Sequence, residues 1–301
     1  MSSSATPQDR RWTVGELLAW TRERFEREGI ETPRVDAEHL LAHALGCSRM
    51  DLYVQHDRLL APEDRGNFRE FVRRRLAREP VAYIEGTRGF HALNLDLQVD
   101  GRVLIPRPDT EHLVDWVLEE LPPPPAPPMP VVDVGTGSGA IALALKHARP
   151  ELEVSAVDLS EDALTIARAN AAAHSLDVAF HRGNLLSELA PPPGGWRMIV
   201  ANLPYIPSAD IAGLSPEVRD FEPNMALDGG PDGLDLVRTL VRQCSPRHAP
   251  GVLSPKGGLY LEIGIGQAEA VEDILREAGF GEVGSRKDYG GVARVVRGRG
   301  G

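Results

Sequence analysis

From Val131 onward, short apolar runs alternate with stretches of helical periodicity, and few folds accept that order. Strands are expected at 131–134, 153–157, 178–182, 197–201, 258–263, 281–285 and 292–297, with helices at 139–148, 161–174, 232–243 and 267–278. Runs such as Val131-Val132 and Met198 to Ala201 are continuously apolar and rich in β-branched residues, as strands covered on both faces are. The pattern predicts an α/β fold: a doubly wound, Rossmann-like sheet of seven strands. The closely spaced last two would form an antiparallel hairpin at one edge. Sheets of this kind bind ligands outside the carboxyl ends of their strands, so motifs there carry the functional information.

The first such end reads Asp133-Val134-Gly135-Thr136-Gly137-Ser138-Gly139, after the first strand and opening a helix. The glycines permit a tight turn and let a ligand touch backbone N–H groups. Asp158 closes the second strand, where a carboxylate can grip ribose hydroxyls. Gly135, Gly137 and Ala140 also satisfy the dinucleotide pattern G-x-G-x-x-G/A, so NAD is a competitor on the loop alone. Asp133 tilts the choice: it would repel a pyrophosphate but suits the ammonium of S-adenosylmethionine.

The fourth strand runs into Asn202-Leu203-Pro204-Tyr205-Ile206. Pro204 cannot donate to a ladder and pushes Leu203 toward an extended conformation. The Asn202 side-chain oxygen and the Leu203 carbonyl therefore form two acceptors on a constrained backbone, matched to the two hydrogens of an NH2 group. Tyr205 would add an aromatic wall. The bland alternative is an ordinary strand exit, with Asn and Pro present for turn chemistry.

The chain before Val131 reads differently. Residues 13–80 predict a small helical bundle. Thr13 and Glu16 have capping-box spacing, Thr32-Pro33 and Pro62 open helices, Ser48 and Asp51 suggest a short one, and Gly29 and Gly46 close helices. His39 and His43 share a helical face, but without an H-E-x-x-H pattern a structural role is favoured over a metal. Arg69, Arg73, Arg74, Arg75 and Arg78 read as a solvated face, or as a surface for an anionic partner. Residues 81–99 are expected to form a hairpin, with Tyr83 and Ile84 in its first strand and Leu93, Leu95, Leu97 and Val99 alternating in its second. The loop Leu104 to Glu111 would shape a pocket or serve as a rigid connector. Residues 122–130 hold seven prolines and read as a stiff inserted spacer.

Composition limits the function class. At 42% hydrophobic and 26% charged over 301 residues, the chain has material for two domains and a sizeable core. No apolar run approaches the ~20 residues of a membrane span, and Met1 to Arg11 lacks the apolar middle of a secretory signal. Cys47 and Cys244 make neither a disulfide framework nor a metal cluster. A cytoplasmic protein with no metal is expected. Residues 1–80 carry 14 basic and 14 acidic side chains, so the net charge of −11 comes from the later part. An acidic main domain argues against a stable nucleic-acid partner.

With these motifs placed, the chain resembles the HemK/PrmC family of release factor glutamine methyltransferases over nearly its whole length. The likeness includes Tyr83 through Glu111, the Gly135–Gly139 loop, Asp158, the stretch Glu222 to Gly233, Leu261-Glu262-Ile263-Gly264, Lys287-Asp288 and Arg294-Val295-Val296. It implies a class I methyltransferase domain at 109–301, a β-hairpin linker at 81–108 and a helical substrate-recognition domain at 1–80. It implies methyl transfer from S-adenosyl-L-methionine to N5 of the glutamine in the Gly-Gly-Gln motif of peptide-chain release factors. No membrane partner is implied, and a monomer is the expectation. Asn202, Leu203, Pro204 and Tyr205 would form the catalytic set. Asp133, Gly135, Thr136, Gly137, Ser138, Gly139, Asp158, Leu185 and Asn202 would hold the cofactor. Leu203 stands where the family has Pro, giving the Asn-Leu-Pro-Tyr familiar from rRNA adenine dimethyltransferases; the acceptor is a backbone carbonyl, which Leu also has. Leu185 stands where Trp is frequent, which would weaken adenine stacking. The alternatives are an N6-adenine-type nucleic-acid methyltransferase and a non-catalytic cofactor-binding scaffold.

Overall fold

Two features of each strand in the second half decide the architecture: its apolar content and the parity of its side chains. In the computed structural model, which describes residues 11–91, 95–124 and 127–300, seven strands form one sheet. They are β3 (Pro130–Val134), β4 (Glu153–Asp158), β5 (Ala179–Arg182), β6 (Trp196–Ala201), β7 (Leu253–Glu262), β8 (Glu282–Lys287) and β9 (Ala293–Arg299), in the order β5-β4-β3-β6-β7-β9-β8. The first five pair in parallel; β9 is antiparallel to both β7 and β8. The helices α6 (Pro108–Glu120), α7 (Ala140–Ala148), α8 (Glu161–Ala173), α9 (Pro216–Arg219), α10 (Asp235–Cys244) and α11 (Ala268–Glu277) accompany it.

Alternation along each strand sorts side chains into two cores. Val131, Met198, Val200, Tyr260 and Val295 pack with Leu113, Val114 and Val117 of α6 and with α7. Val132, Val134, Ile199, Ala201, Leu259, Leu261 and Ile263 pack with Val237 and Leu240 of α10 and Val271 and Leu275 of α11. The sheet reverses order between β3 and β6, where β4 lies on one side and β7 on the other. The two cores therefore leave a crevice at that point, beyond the ends of β3, β4 and β6.

Strand positions differ most from expectation at β7, which begins at Leu253 and not at 258. Leu253 pairs with Trp196 and Gly258 with Met198, so the intervening Ser254 to Gly257 form an irregular bulge, with Lys256 at φ 62°. Pro255 and Gly257 are the turn signals that hide this early start.

The chain divides into two units, one ending at Gly86 and the other beginning at Thr87. The first contains α1 (Val14–Arg27), α2 (Pro33–Leu45), α3 (Arg49–Val54), α4 (Pro62–Leu76) and α5 (Val81–Glu85). Thr13 and Ser48 make full capping boxes with Glu16 and Asp51. The arginines of α4 are not a free basic face. Arg75 is buried against Asp36 at 2.7 Å, Arg73 pairs with Glu70, and Arg74 pairs with Glu79 and reaches the Tyr83 carbonyl. His39 contacts Glu85 at 3.2 Å, and His43 packs on the ring of Phe71.

Residues 81–85 correct the expected hairpin. Val81 to Glu85 is a helical turn between Pro80 and Gly86, the latter at φ 74°. The local β preference of Val, Tyr and Ile loses to burial of Ala82, Tyr83 and Ile84. The hairpin is β1 (Thr87–Phe90) with β2 (Leu95–Gln98). Leu95, Leu97 and Val99 alternate inward as expected, whereas Leu93 lies outside the described residues. So do the polar N-terminus through Arg10 and positions 125 and 126 of the proline-rich segment.

Leu113 of α6 is fully buried against the sheet, and α6 carries residues that reach the crevice. Leu113→Ala should cost about 2–5 kcal/mol by loss of transfer energy and cavity formation. Urea unfolding monitored on the sheet-containing unit checks this; an unchanged midpoint would contradict the packing assigned to α6.

Candidate active site

The crevice is a cavity built mainly from six segments. The glycine loop supplies Gly135, Thr136, Gly137 and Ser138, and the end of β4 supplies Asp158, Leu159 and Ser160. Gly183, Asn184 and Leu185 form a third wall, and Asn202, Leu203 and Pro204 a fourth. Leu104, Pro106, Arg107 and Thr110 face Pro223, Met225 and Ala226 at the remaining side. The loop ahead of α6 is thus a pocket wall and not only a connector.

The glycine loop is shaped by two acids. Gly137 sits at φ 55°, a region that favours glycine, and donates its N–H to Asp158 Oδ2 at 2.9 Å. Asp158 Oδ1 accepts from Ser160 N at 2.9 Å. Burial raises the Asp158 pKa, and the N–H donors of Ser160, Gly137 and Leu159 pull it back. Asp133 is wholly buried on the α7 side of β3. Its Oδ2 accepts from the Thr136 hydroxyl at 2.6 Å and from Ala142 N at 3.2 Å. Burial pushes its pKa up to about 7, against those hydrogen bonds. Its Oδ1 is buried with no partner among the described residues.

The position of Asp133 corrects one expectation. Asp133 does not line the cavity; it pins the glycine loop to the first turn of α7 from behind. Gly139 is likewise off the wall, serving as the N-cap of α7 at φ 86°. Leu185 does line the cavity, in a left-handed conformation at φ 54°.

The Asn202 segment is held from three directions. Its side-chain Nδ2 donates to Thr110 Oγ1 at 3.1 Å. Leu203, 4% exposed, lays its side chain against the glycine loop, where a Cβ on Gly135 would come within 3.2 Å of Leu203 Cδ2. The backbone from Pro204 to Ile206 is clasped by the Leu227 to Gly233 loop: Ile206 N donates to Leu227 O, and Gly229 N to Ile206 O. A Cβ at Gly229 would fall 2.6 Å from Pro204 O, and one at Gly233 2.1 Å from Tyr205 O, so glycine is required for the approach. Tyr205 is not on the cavity wall. Its carbonyl accepts from Gln267 Nε2 at 2.9 Å, and burial, then the nearby Glu262 charge, pushes its phenol up to about 12.

Among the described residues, neither Asn202 Oδ1 nor the Leu203 carbonyl accepts a hydrogen bond, although both residues line the cavity. Two acceptors thus stand open at the end of β6. Residues that sequence reading left without a role complete the frame. Buried Glu222 accepts from Ile105 N at 3.2 Å and from the Arg107 guanidinium, joining the two loops at the mouth. Fully buried Asn170 of α8 exchanges hydrogen bonds with the Gln98 backbone and donates to Ser138 O at 2.9 Å, fixing the glycine loop to the hairpin.

A Rossmann-like sheet with a glycine loop, a strand-end acid and a fourth-strand Asn-x-Pro-Tyr defines a class I S-adenosylmethionine-dependent methyltransferase. The lining fits the cofactor: a glycine turn with little side chain to fill the space, a carboxylate at the second strand end, and apolar walls at Leu159, Ala163 and Leu185. Residues 16–86 match the PrmC N-terminal domain model, and residues 115–212 match the methyltransferase small domain model. The release factor glutamine methyltransferase of Geobacter sulfurreducens is 42% identical over 96% of this chain and 97% of its own length. That of Deinococcus radiodurans is 41% identical over 94% and 97%. The chain belongs to the release factor glutamine methyltransferase family. In fold it is also similar to the Thermus thermophilus 16S rRNA N2 G1207 methyltransferase, solved in complex with AdoMet and guanosine. The TM-score is 0.50 at 19% identity, covering 71% of this chain and 49% of that one. The NAD and N6-adenine alternatives left open by the motifs are not what the relatives are.

Asp133 makes stability depend on pH. Its folded pKa of about 7 exceeds the 3.8 of an ordinary aspartate, so between these values the folded chain holds a proton that the unfolded chain has released. Stability therefore falls as pH rises through that window. In Asp133→Asn this contribution is gone, and the loss of urea stability between about pH 5 and about pH 8 should shrink. An identical pH slope in both proteins would contradict the buried, half-satisfied carboxyl.

Proposed function

We propose that this chain methylates N5 of the glutamine in the Gly-Gly-Gln motif of peptide-chain release factors. The observation that carries the reading is the pair of open acceptors, Asn202 Oδ1 and the Leu203 carbonyl, on the cavity wall facing the glycine loop. Relatives at about 40% identity over nearly their full length, named for that activity, support it. Nothing in the reading calls for a nucleic-acid or membrane partner. Among the described residues no helix is long and apolar enough to cross a membrane, and a cytoplasmic place suits a substrate that acts in translation.

S-adenosylmethionine, when bound, supplies a methyl group activated by its sulfonium. Gly135 to Ser138 would hold its methionine part, Asp158 its ribose hydroxyls, and Leu159, Ala163 and Leu185 its adenine. Asp133 acts on this site indirectly, by fixing the loop. The substrate amide nitrogen is a poor nucleophile, because its lone pair is delocalised into the carbonyl. Asn202 Oδ1 and the Leu203 carbonyl accept its two N–H hydrogens and fix the direction of the nitrogen. Their negative dipoles also favour the positive charge that develops on nitrogen as its N–C bond forms. Transfer would break the carbon–sulfur bond, leave S-adenosylhomocysteine, and give up one N–H proton to water. Tyr205, with its phenol at about 12, stays protonated and is not the base; its ring buttresses the segment. The Pro106, Pro223 and Met225 side of the mouth offers apolar contact for the peptide around the glutamine. Leu203 in place of Pro leaves the carbonyl acceptor in position, because Pro204 restricts it and Gly135 packs against its side chain.

The test is transfer of a labelled methyl group to purified release factor, with a Gly-Gly-Ala variant and RNA as controls. Label should appear on the Gly-Gly-Gln protein alone; label on RNA, or on the Ala variant equally, would overturn the reading. Asn202→Ala should lower kcat by about 100-fold or more while leaving cofactor affinity within about twofold. Asp158→Ala should chiefly weaken cofactor affinity, by about tenfold or more, as calorimetry reads it. An unchanged dissociation constant would remove Asp158 from the ribose.

A further inference from the structure

Glu262 ends β7 and is 2% exposed, the one acid in the apolar run Leu259 to Ile263. In the parallel register Ala201 lies beside Leu261, so Asn202 and Glu262 leave the strand ends side by side. Both continue the parity of Val200 and Tyr260 and emerge on the face covered by α6. Thr110, in the first turn of α6, closes the group there. Asn202 Nδ2 donates to Thr110 Oγ1 at 3.1 Å, and the Glu262 carboxyl lies close enough to the Thr110 hydroxyl and the Asn202 amide for both to favour its ionised form.

A carboxylate only accepts, so a Thr110 hydroxyl beside Glu262 turns its single hydrogen that way and is left to accept from Asn202. The Asn202 NH2 then faces an acceptor hydroxyl and an anion. Turning that amide over would set its Oδ1 against a buried carboxylate.

We infer that Glu262 is a positioning residue which, with Thr110, fixes the flip of the Asn202 amide, so that Oδ1 and not NH2 faces the substrate glutamine. The inference rests on the reading that Asn202 Oδ1 accepts from the substrate NH2. With the amide reversed, donors would meet donors and the glutamine would lose its orientation.

The lock depends on the charge of Glu262. The charged and titratable groups around it are Asp109 of α6, Arg294 of β9 and the Tyr205 phenol, and Arg294 is shared with Asp288 and Asp109. Burial pushes the Glu262 carboxyl up to about 7, with the Thr110 hydrogen bond the first opposing effect. Its Oε2 is buried without a partner among the described residues, which leaves a place for the proton. A protonated Glu262 has a donor to offer a reversed Asn202, so the lock loosens as pH falls through about 7.

The experiment measures kcat and the KM for S-adenosylmethionine against pH, using the full chain and Gly-Gly-Gln release factor. Wild-type kcat should fall on the acid side with a midpoint near that value. Glu262→Gln, the isostere of the neutral acid, should lose about tenfold or more in kcat at alkaline pH and show no acid limb, with the cofactor KM within about twofold. Thr110→Val removes a donor that holds the Glu262 pKa down, so its acid limb should move to higher pH; it carries the test if Glu262→Gln does not fold. An active wild type whose Glu262→Gln variant keeps both kcat and the acid limb, or whose Thr110→Val variant leaves the limb in place, overturns this inference alone. A wild type inactive on release factor overturns the functional reading and this inference with it.

Discussion

The backbone at the carboxyl end of β6 has to stop being a strand within one residue and then stay where it stopped. Three unlike interactions hold it. The Asn202 side chain is tied to Thr110 on one side, the Leu203 side chain packs on the glycine loop, and the Leu227 to Gly233 loop clasps the chain from Pro204 to Ile206. Each comes from a different element, so the geometry of the two open acceptors is over-determined. A site that must orient a weak nucleophile needs such rigidity, because nothing in it supplies a strong base.

Burial of acids is the second constraint. Asp133 and Glu262 both lie on the α6–α7 side of the sheet, both are almost fully buried, and both have one oxygen without a partner among the described residues. Burying carboxyls costs stability unless they are paired or neutral, and both are pushed up to about 7 as a result. What the cost secures differs. Asp133 holds the turn proposed to receive the cofactor, and Glu262 bears on the residue proposed to receive the substrate. Neither reaches the cavity wall, and both act through a neighbour that does.

Much of this was legible in the amino-acid order. The β–α alternation, the glycine loop, Asp158 and the Asn-Leu-Pro-Tyr turn depend on local pattern, and local pattern places them at strand ends. Misreadings arose where long-range packing decides. Val81 to Glu85 reads as a strand by propensity yet is helical, because three of its side chains are buried, Ile84 in the core of the N-terminal unit. The arginines of α4 read as a solvated face, which Arg69 and Arg73 are, but Arg75 is buried against Asp36 and Arg74 is half-buried against Glu79. Asp133 reads as a cofactor ligand because it precedes the glycines; strand parity turns it instead toward α7. Thr110, Glu222 and Asn170 had no local signature of function, since their partners lie 92, 117 and 72 positions away.

The central claim is that a substrate carboxamide NH2 sits between Asn202 Oδ1 and the Leu203 carbonyl. A crystal structure with S-adenosylhomocysteine and a Gly-Gly-Gln peptide measures this directly. The account predicts the glutamine nitrogen about 3 Å from both oxygens, with its open face toward the sulfur. A glutamine turned so that its oxygen faces Asn202, or lodged away from the end of β6, would contradict it.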